Sequence, residues 1–307
     1  MTRFFFGGVR LALCLMATHF VASSAQAETL YGISSFVSGQ DNQLYTIDSD
    51  SRSVTSNVVI QRPAGIDPLE PFSLRSIDVR PSTGELYGIG FNDNQLYTIN
   101  TTSGALTPIG APLPVSGAID FNPTVDLVRL IGRGSNTNYR ISPVDGSVVS
   151  LDGLPTFDAG DANFGDTPDI RTIGYTNSVA GATSTTLYDL DVVNDILATQ
   201  TPANMGNLQT VGPLGVNLAS GFLGSGFAGF DISGATGTAY LTSANPNQAT
   251  SLYMVDLGTG AASLQGTVSG LIGQGVIADI AVAAVPEPTS ALLAAGGLAL
   301  LGVRKRR

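Results

Sequence analysis

From residue 29 to residue 283 the chain is a succession of short apolar runs, each bounded by Gly, Asn, Asp, Ser or Pro. The runs are short and of β type, the pattern of strands separated by turns. No stretch of this body keeps a helical period, so β-structure is predicted throughout. Two segments depart from this pattern as longer apolar runs, residues 11–22 and residues 291–303.

A word of the form Leu-Tyr-x-aliphatic-Asp/Asn recurs along the body. It reads LYTID at 44–48, LYTIN at 96–100, LYDLD at 187–191 and LYMVD at 252–256, with a degenerate NYRIS at 138–142. Its tyrosines, Tyr45, Tyr97, Tyr139, Tyr188 and Tyr253, are spaced by 52, 42, 49 and 65 residues. Periods of about 40–50 residues with about four strands each are the signature of propeller blades. The second unit shows the strands in order: SIDV, a PSTG turn, LYGI, an NDN turn, LYTIN, a TTSG turn and LTPI. The first unit starts at TLYGI with no aliphatic-Asp strand before it, whereas IADIAV at 277–282 has that word and no blade after it. Pairing the two closes the ring and removes an exposed sheet edge. The expected fold is all-β: a β-propeller of about five four-stranded blades closed by the C-terminal strand. Six blades is the alternative, because the fourth unit has a strand near 171–177 and no matching aliphatic-Asp strand before it.

Composition narrows the chemistry. Cys14 and His19 are the only cysteine and histidine, both before residue 28, and Lys305 is the only lysine. The body, 28–284, therefore has no disulfide, Cys/His zinc site, thiol nucleophile, Ser-His-Asp triad or Schiff-base lysine. It carries 8 arginines against 23 acids, a net charge of −15. Such a balance argues against nucleic acid and anionic membrane surfaces as partners. No catalytic residue, metal-ligand set or cofactor is assigned.

The two ends read as sorting signals. Arg3 and Arg10, the apolar residues 11–22 and Ala25-Gln26-Ala27 make a Sec-type signal peptide over 1–27, with cleavage after Ala27. At the other end, over 285–307, come Val285-Pro286-Glu287-Pro288-Thr289-Ser290, the uncharged stretch 289–303, and Arg304, Lys305, Arg306 and Arg307. The stretch makes roughly 22 Å of helix at about 1.5 Å per residue, less than the ~30 Å hydrocarbon core of a bilayer. Gly296, Gly297 and Gly302 weaken it further, and the basic cluster is a cytoplasmic stop. This tail resembles the PEP-CTERM sorting signal of exported bacterial proteins. The resemblance implies a membrane-embedded exosortase-type protease as partner, cutting near the Pro-Glu-Pro motif. It also implies an inner-membrane-anchored precursor held by a short transmembrane helix. The product then belongs to the periplasm, the cell surface or the extracellular matrix. A plain membrane anchor without processing is the alternative.

Asp78, Asp120, Asp231 and Asp279 stand in the aliphatic-Asp words of four units. A residue repeated at a repeated place reads as serving the repeat, here as a hydrogen-bond acceptor for turn amides. The other reading is a ring of carboxylates around a channel that binds a cation or acts on a sugar. The repeated tyrosines read as inter-blade packing. Residues 156–170, TFDAGDANFGDTPDI, fit no blade and gather Asp158, Asp161, Asn163, Asp166 and Asp169. They are a candidate calcium loop that lacks the EF-hand pattern. Asp126 and Arg129 read as a structural ion pair.

The segments GDAN at 160–163, YTNS at 175–178 and TLYD at 186–189, with DFNPTVDLVR at 120–129, carry a second resemblance. They are similar to an exported bacterial domain-of-unknown-function family with propeller-like repeats, over roughly 29–283. That resemblance implies fold and export and no site. The functional expectation is a non-enzymatic surface or matrix protein that binds or scaffolds exopolysaccharide. The alternatives are a glycan-active enzyme using two of the four aspartates, about 5–9.5 Å apart, and a calcium-dependent adhesion module built on the 158–169 loop.

Overall fold

A computed structural model describes residues 27–34, 42–63, 72–218, 227–244, 249–272 and 276–284. The signal-peptide cleavage residue Ala25, the sorting motif Val285 to Pro288, the apolar tail and the basic residues 304–307 lie outside them. The described residues form strands arranged as five sheets, with no α-helix among them.

Blade 1 contains β1 (Thr29–Ser34), β2 (Gln43–Asp48) and β3 (Ser53–Val59). Blade 2 follows with β4 (Leu74–Val79), β5 (Leu86–Gly90), β6 (Leu96–Ile99) and β7 (Leu106–Ile109). Blade 3 has β8 (Gly117–Asn122), β9 (Leu127–Gly132), β10 (Asn138–Ile141) and β11 (Val148–Leu151). In blade 4 a two-residue β12 (Thr156–Phe157) precedes β13 (Ile170–Tyr175), β14 (Leu187–Asp191), β15 (Ile196–Gln200) and β16 (Asn207–Pro213). Blade 5 consists of β17 (Phe227–Ile232), β18 (Ala239–Ala244), β19 (Ser251–Val255) and β20 (Ala262–Thr267). The last strand, β21 (Ile277–Val282), returns to blade 1 and pairs antiparallel with β1, Leu30 opposite Val282 and Gly32 opposite Ile280. Five blades and closure by the last strand are as the repeat predicts.

Two apolar faces per blade need two neighbours, and the core is distributed accordingly. There are five buried clusters among the described residues, one per junction. Ile33 and Leu44 of blade 1 pack on Leu74, Ile77 and Leu86 of blade 2. Leu30, Tyr45 and Ile280 of blade 1 pack on Tyr240 and Leu252 of blade 5. The terminal Asp or Asn of the repeated word accepts amides of the hairpin turn after it: Asp48 from Ser51, Asn100 from Thr102 and Ser103, Asp256 from Gly258 and Thr259. A side-chain acceptor two or three residues ahead of a turn fixes its geometry. Gly104, at φ +72°, closes one such turn so tightly against blade 1 that a Cβ there would lie 2.0 Å from the Val59 carbonyl oxygen.

Blade 4 corrects the reading of the repeated word. In blades 1, 2, 3 and 5 the word is the third strand, but LYDLD forms β14, the second. Tyr45, Tyr97, Tyr139 and Tyr253 each sit two strands out from an inner-strand Ile or Phe. In blade 4 that position, opposite Asp189 and so aligned with Ile173, is Ala198. Tyr188 is therefore not the equivalent of the other four.

Candidate functional site at the propeller axis

Strands β21, β4, β8, β13 and β17 line the axis. Their central segments align as Asp279-Ile-Ala-Val, Ser76-Ile-Asp-Val, Ala118-Ile-Asp-Phe, Thr172-Ile-Gly-Tyr and Gly229-Phe-Asp-Ile. Residues two apart on a strand share a face, so two rows of side chains occupy the axis. One row holds Asp78, Asp120, Gly174, Asp231 and Ala281. The other holds Ser76, Ala118, Thr172, Gly229 and Asp279.

The side chains of each row reach to the backbone of the next blade. Asp78 Oδ2 accepts the N–H of Phe121 at 2.6 Å, Asp120 Oδ1 that of Tyr175 at 3.1 Å, and Asp231 Oδ2 that of Val282 at 2.5 Å. In the second row Ser76 Oγ accepts from Ile119, Thr172 Oγ1 from Phe230 and Asp279 Oδ2 from Ile77, at 3.0, 3.1 and 3.0 Å. Where one row carries Gly or Ala, the other supplies the acceptor. All five junctions are bridged in this way. This bears on the sequence reading: Asp78, Asp120 and Asp231 are equivalent, but Asp279 belongs to the other row, displaced by two residues. Gly229 lies so close to β21 that a Cβ would fall 2.6 Å from Asp279 Cα and Ile280 N. Gly229→Ala must push two inner strands apart, and overpacking of this kind costs about 1–3 kcal/mol. A lowered melting temperature is the expected result, and an unchanged one would refute the contact.

The three equivalent aspartates converge. One carboxylate oxygen from each of Asp78, Asp120 and Asp231 lies within 4.8 Å of the others, the one such group among the described residues. All three residues are buried, as is Asp279. Burial, and then the neighbouring carboxylates, push Asp78 and Asp120 well above the usual carboxylate range. Burial raises Asp231 and Asp279 to about 7, against the lowering effect of the amides they accept. Like charges this close cannot all ionise without compensation. Asp231 also contributes to a cleft at the far ends of the inner strands, lined with Val79, Ser178, Val179, Ile232 and Val282.

The other residues singled out in the sequence are dispersed. Asp126 pairs with Arg80 across blades 2 and 3, not with Arg129. Arg129 is fully buried and donates to Asp152 Oδ2 at 2.7 Å, Asn138 Oδ1 and Asn204 Oδ1 at 2.6 Å, and the Tyr175 hydroxyl at 3.2 Å. In the 156–170 segment, Asp161 accepts from Thr210 and Asn163, while Asp169 pairs with Arg171. The loop does not gather three acids at ligand distance. Sequence reasoning missed Asp189, which is fully buried, has neither carboxylate oxygen hydrogen-bonded, and is pushed up to about 8 by burial. It also missed the Ser76 and Thr172 row, which the five-way alignment above reveals.

Residues 53–281 match the family described as Domain of unknown function (DUF4394). The chain belongs to that family. No curated protein matches it. Among solved structures, this DUF4394 member is similar to a protein of unknown function from Bacteroides caccae, at 14% identity and TM-score 0.41, covering 84% of this chain and 99% of that one. It is also similar to virginiamycin B lyase from Staphylococcus aureus, solved as an inactive variant with quinupristin, at 12% identity and TM-score 0.41, covering 82% and 74%. A third is Myxococcus xanthus glutaminyl cyclase, at 11% identity and TM-score 0.46, covering 71% and 85%. Similarity of this degree says nothing about chemistry.

Proposed function

We propose that the chain is an exported, non-enzymatic surface or matrix protein whose propeller binds or scaffolds exopolysaccharide. Its tail would be processed by an exosortase-type protease after the inner-membrane-anchored stage. One observation supports the non-enzymatic part: each of Asp78, Asp120, Asp231 and Asp279 is buried and accepts a backbone amide of the adjacent blade. A glycosidase needs two carboxylates about 5–9.5 Å apart with the sugar between them. Here all four carboxylates are buried, and in the equivalent trio one oxygen of each residue lies within 4.8 Å of the others. Export and sorting rest on the two end segments and their resemblance to known signals.

Two measurements test the proposal. Intact mass of the protein from envelope and medium should show a chain starting at Glu28 and ending near Pro286–Pro288. A chain still ending at Arg307 would remove the sorting part. Incubation with isolated exopolysaccharide should give co-sedimentation without new reducing ends. New reducing ends would move the reading to a glycan-active enzyme.

A further inference from the structure

The axial carboxylates have acceptor capacity beyond the amides they hold. An ionised carboxylate offers about four lone-pair sites. Asp78 accepts two N–H groups, from Phe121 and Val79, and Asp231 two, from Val282 and Ile232. Two oxygens bound to one calcium ion at about 2.4 Å are at most about 4.8 Å apart. One oxygen from each of Asp78, Asp120 and Asp231 satisfies that limit for every pair. A second, independent feature points the same way. Asp279 is 4% exposed and faces the axis from the neighbouring row; its Oδ2 holds the Ile77 amide, yet its Oδ1 has no hydrogen-bond partner. A buried carboxylate oxygen left bare is costly, and such atoms call for a bound ion or water.

We propose that the propeller axis holds one calcium ion, bound by Asp78, Asp120 and Asp231, with Asp279 Oδ1 completing the charge around it. The donors are all oxygen, which selects a hard cation over zinc or copper. The three ligands hang from three backbone-fixed strands, β4, β8 and β17, and calcium tolerates irregular coordination where magnesium demands a near-ideal octahedron. The same aspartates thus hold the blades through amides and the ion through their remaining lone pairs. The ion would tie blades 2, 3 and 5 to one point on the axis.

The test uses the full chain, stripped with a chelator and titrated with calcium chloride. Elemental analysis after gel filtration should give one calcium per chain. The melting temperature should rise by roughly 5–10 °C when calcium stands at about 100 times its Kd. Asp120→Asn should weaken binding at least tenfold, by removing one of three charged ligands, while Asp161→Asn in the 156–170 loop should leave binding unchanged. If a variant does not fold, the stoichiometry and melting shift of the unaltered chain decide. No bound calcium and no shift would overturn the proposal. So would calcium binding lost in Asp161→Asn and kept in Asp120→Asn, or a response to magnesium alone.

Discussion

Stripped of divalent cations, the protein loses stability as pH rises from about 4 to about 8. Burial pushes Asp189 up to about 8, and Asp231 and Asp279 to about 7. In the unfolded chain such carboxyls titrate at about 3.9. Below that value both states are protonated and these groups cost nothing. Between it and the folded values, the native state keeps protons that the unfolded chain has released, so stability falls with rising pH. Above the folded values the penalty is complete. Glu28 lies near Asp231 and adds to its rise, while Arg129 near Asp189 opposes part of that group's shift. Asp126 acts in the other sense: its bonds from Arg80 hold it low, and the stability it gives is lost as pH drops below about 4. The melting temperature should therefore peak at about pH 4–5 and be lower by roughly 10 °C at pH 8. Asp189→Asn should flatten this profile and raise the pH 8 melting temperature by about 5 °C. A profile that is flat or rising from pH 5 to 8, or an Asp189→Asn protein that melts earlier at pH 8, would contradict the burial of an unpartnered acid.

Replacing Arg129 by Met should be among the most damaging single changes in the body. The side chain is 1% exposed and its ion-pair partner Asp152 4%. It also joins β9 to β13 and to the turn before β16 through Tyr175 and Asn204. Removing one member of a buried charged network costs about 3–5 kcal/mol, or roughly 10 °C in a domain of this size. Asp126→Ala is the contrast. Asp126 itself is 39% exposed, so solvent screens the pair although Arg80 is only 14% exposed, and the loss should stay below about 1 kcal/mol. Thermal melts of the two variants side by side check the assignment. Equal effects would mean that Asp126 and Arg129 share one network, as their proximity in sequence suggested.

Blade number and closure were legible because they depend on local signals, alternation and turn residues, repeated often enough to average out exceptions. What stayed hidden involves shifts that preserve the alternation. ADIAV can be slid by two residues without moving any side chain to the other face, so Asp279 passes for an equivalent of Asp231 until the pairing of Gly32 with Ile280 fixes it. LYDLD matches the repeated word residue by residue, yet Asp189 there lies opposite Ile173 on the inner strand, where the tyrosine strands of other blades do not reach. Nothing local distinguishes the two. Arg129 could not be assigned for a different reason: its partners Asp152, Asn138, Tyr175 and Asn204 come from separate strands and turns. The convergence of three aspartates was foreseeable from their equivalence; how close they come was not.

Closure by β21 also constrains the order of assembly. Strand β1 has its inner neighbour only after residue 282 has been synthesised, and Ala283 then bonds the carbonyl of Thr29. Until that moment the first blade offers a bare strand edge and the ring stays open. Contacts this distant along the chain are slow to form. A chain broken off before residue 277 would be left not with a slightly shortened tail but with a gap at its centre, and quality control would meet it as an unfinished protein.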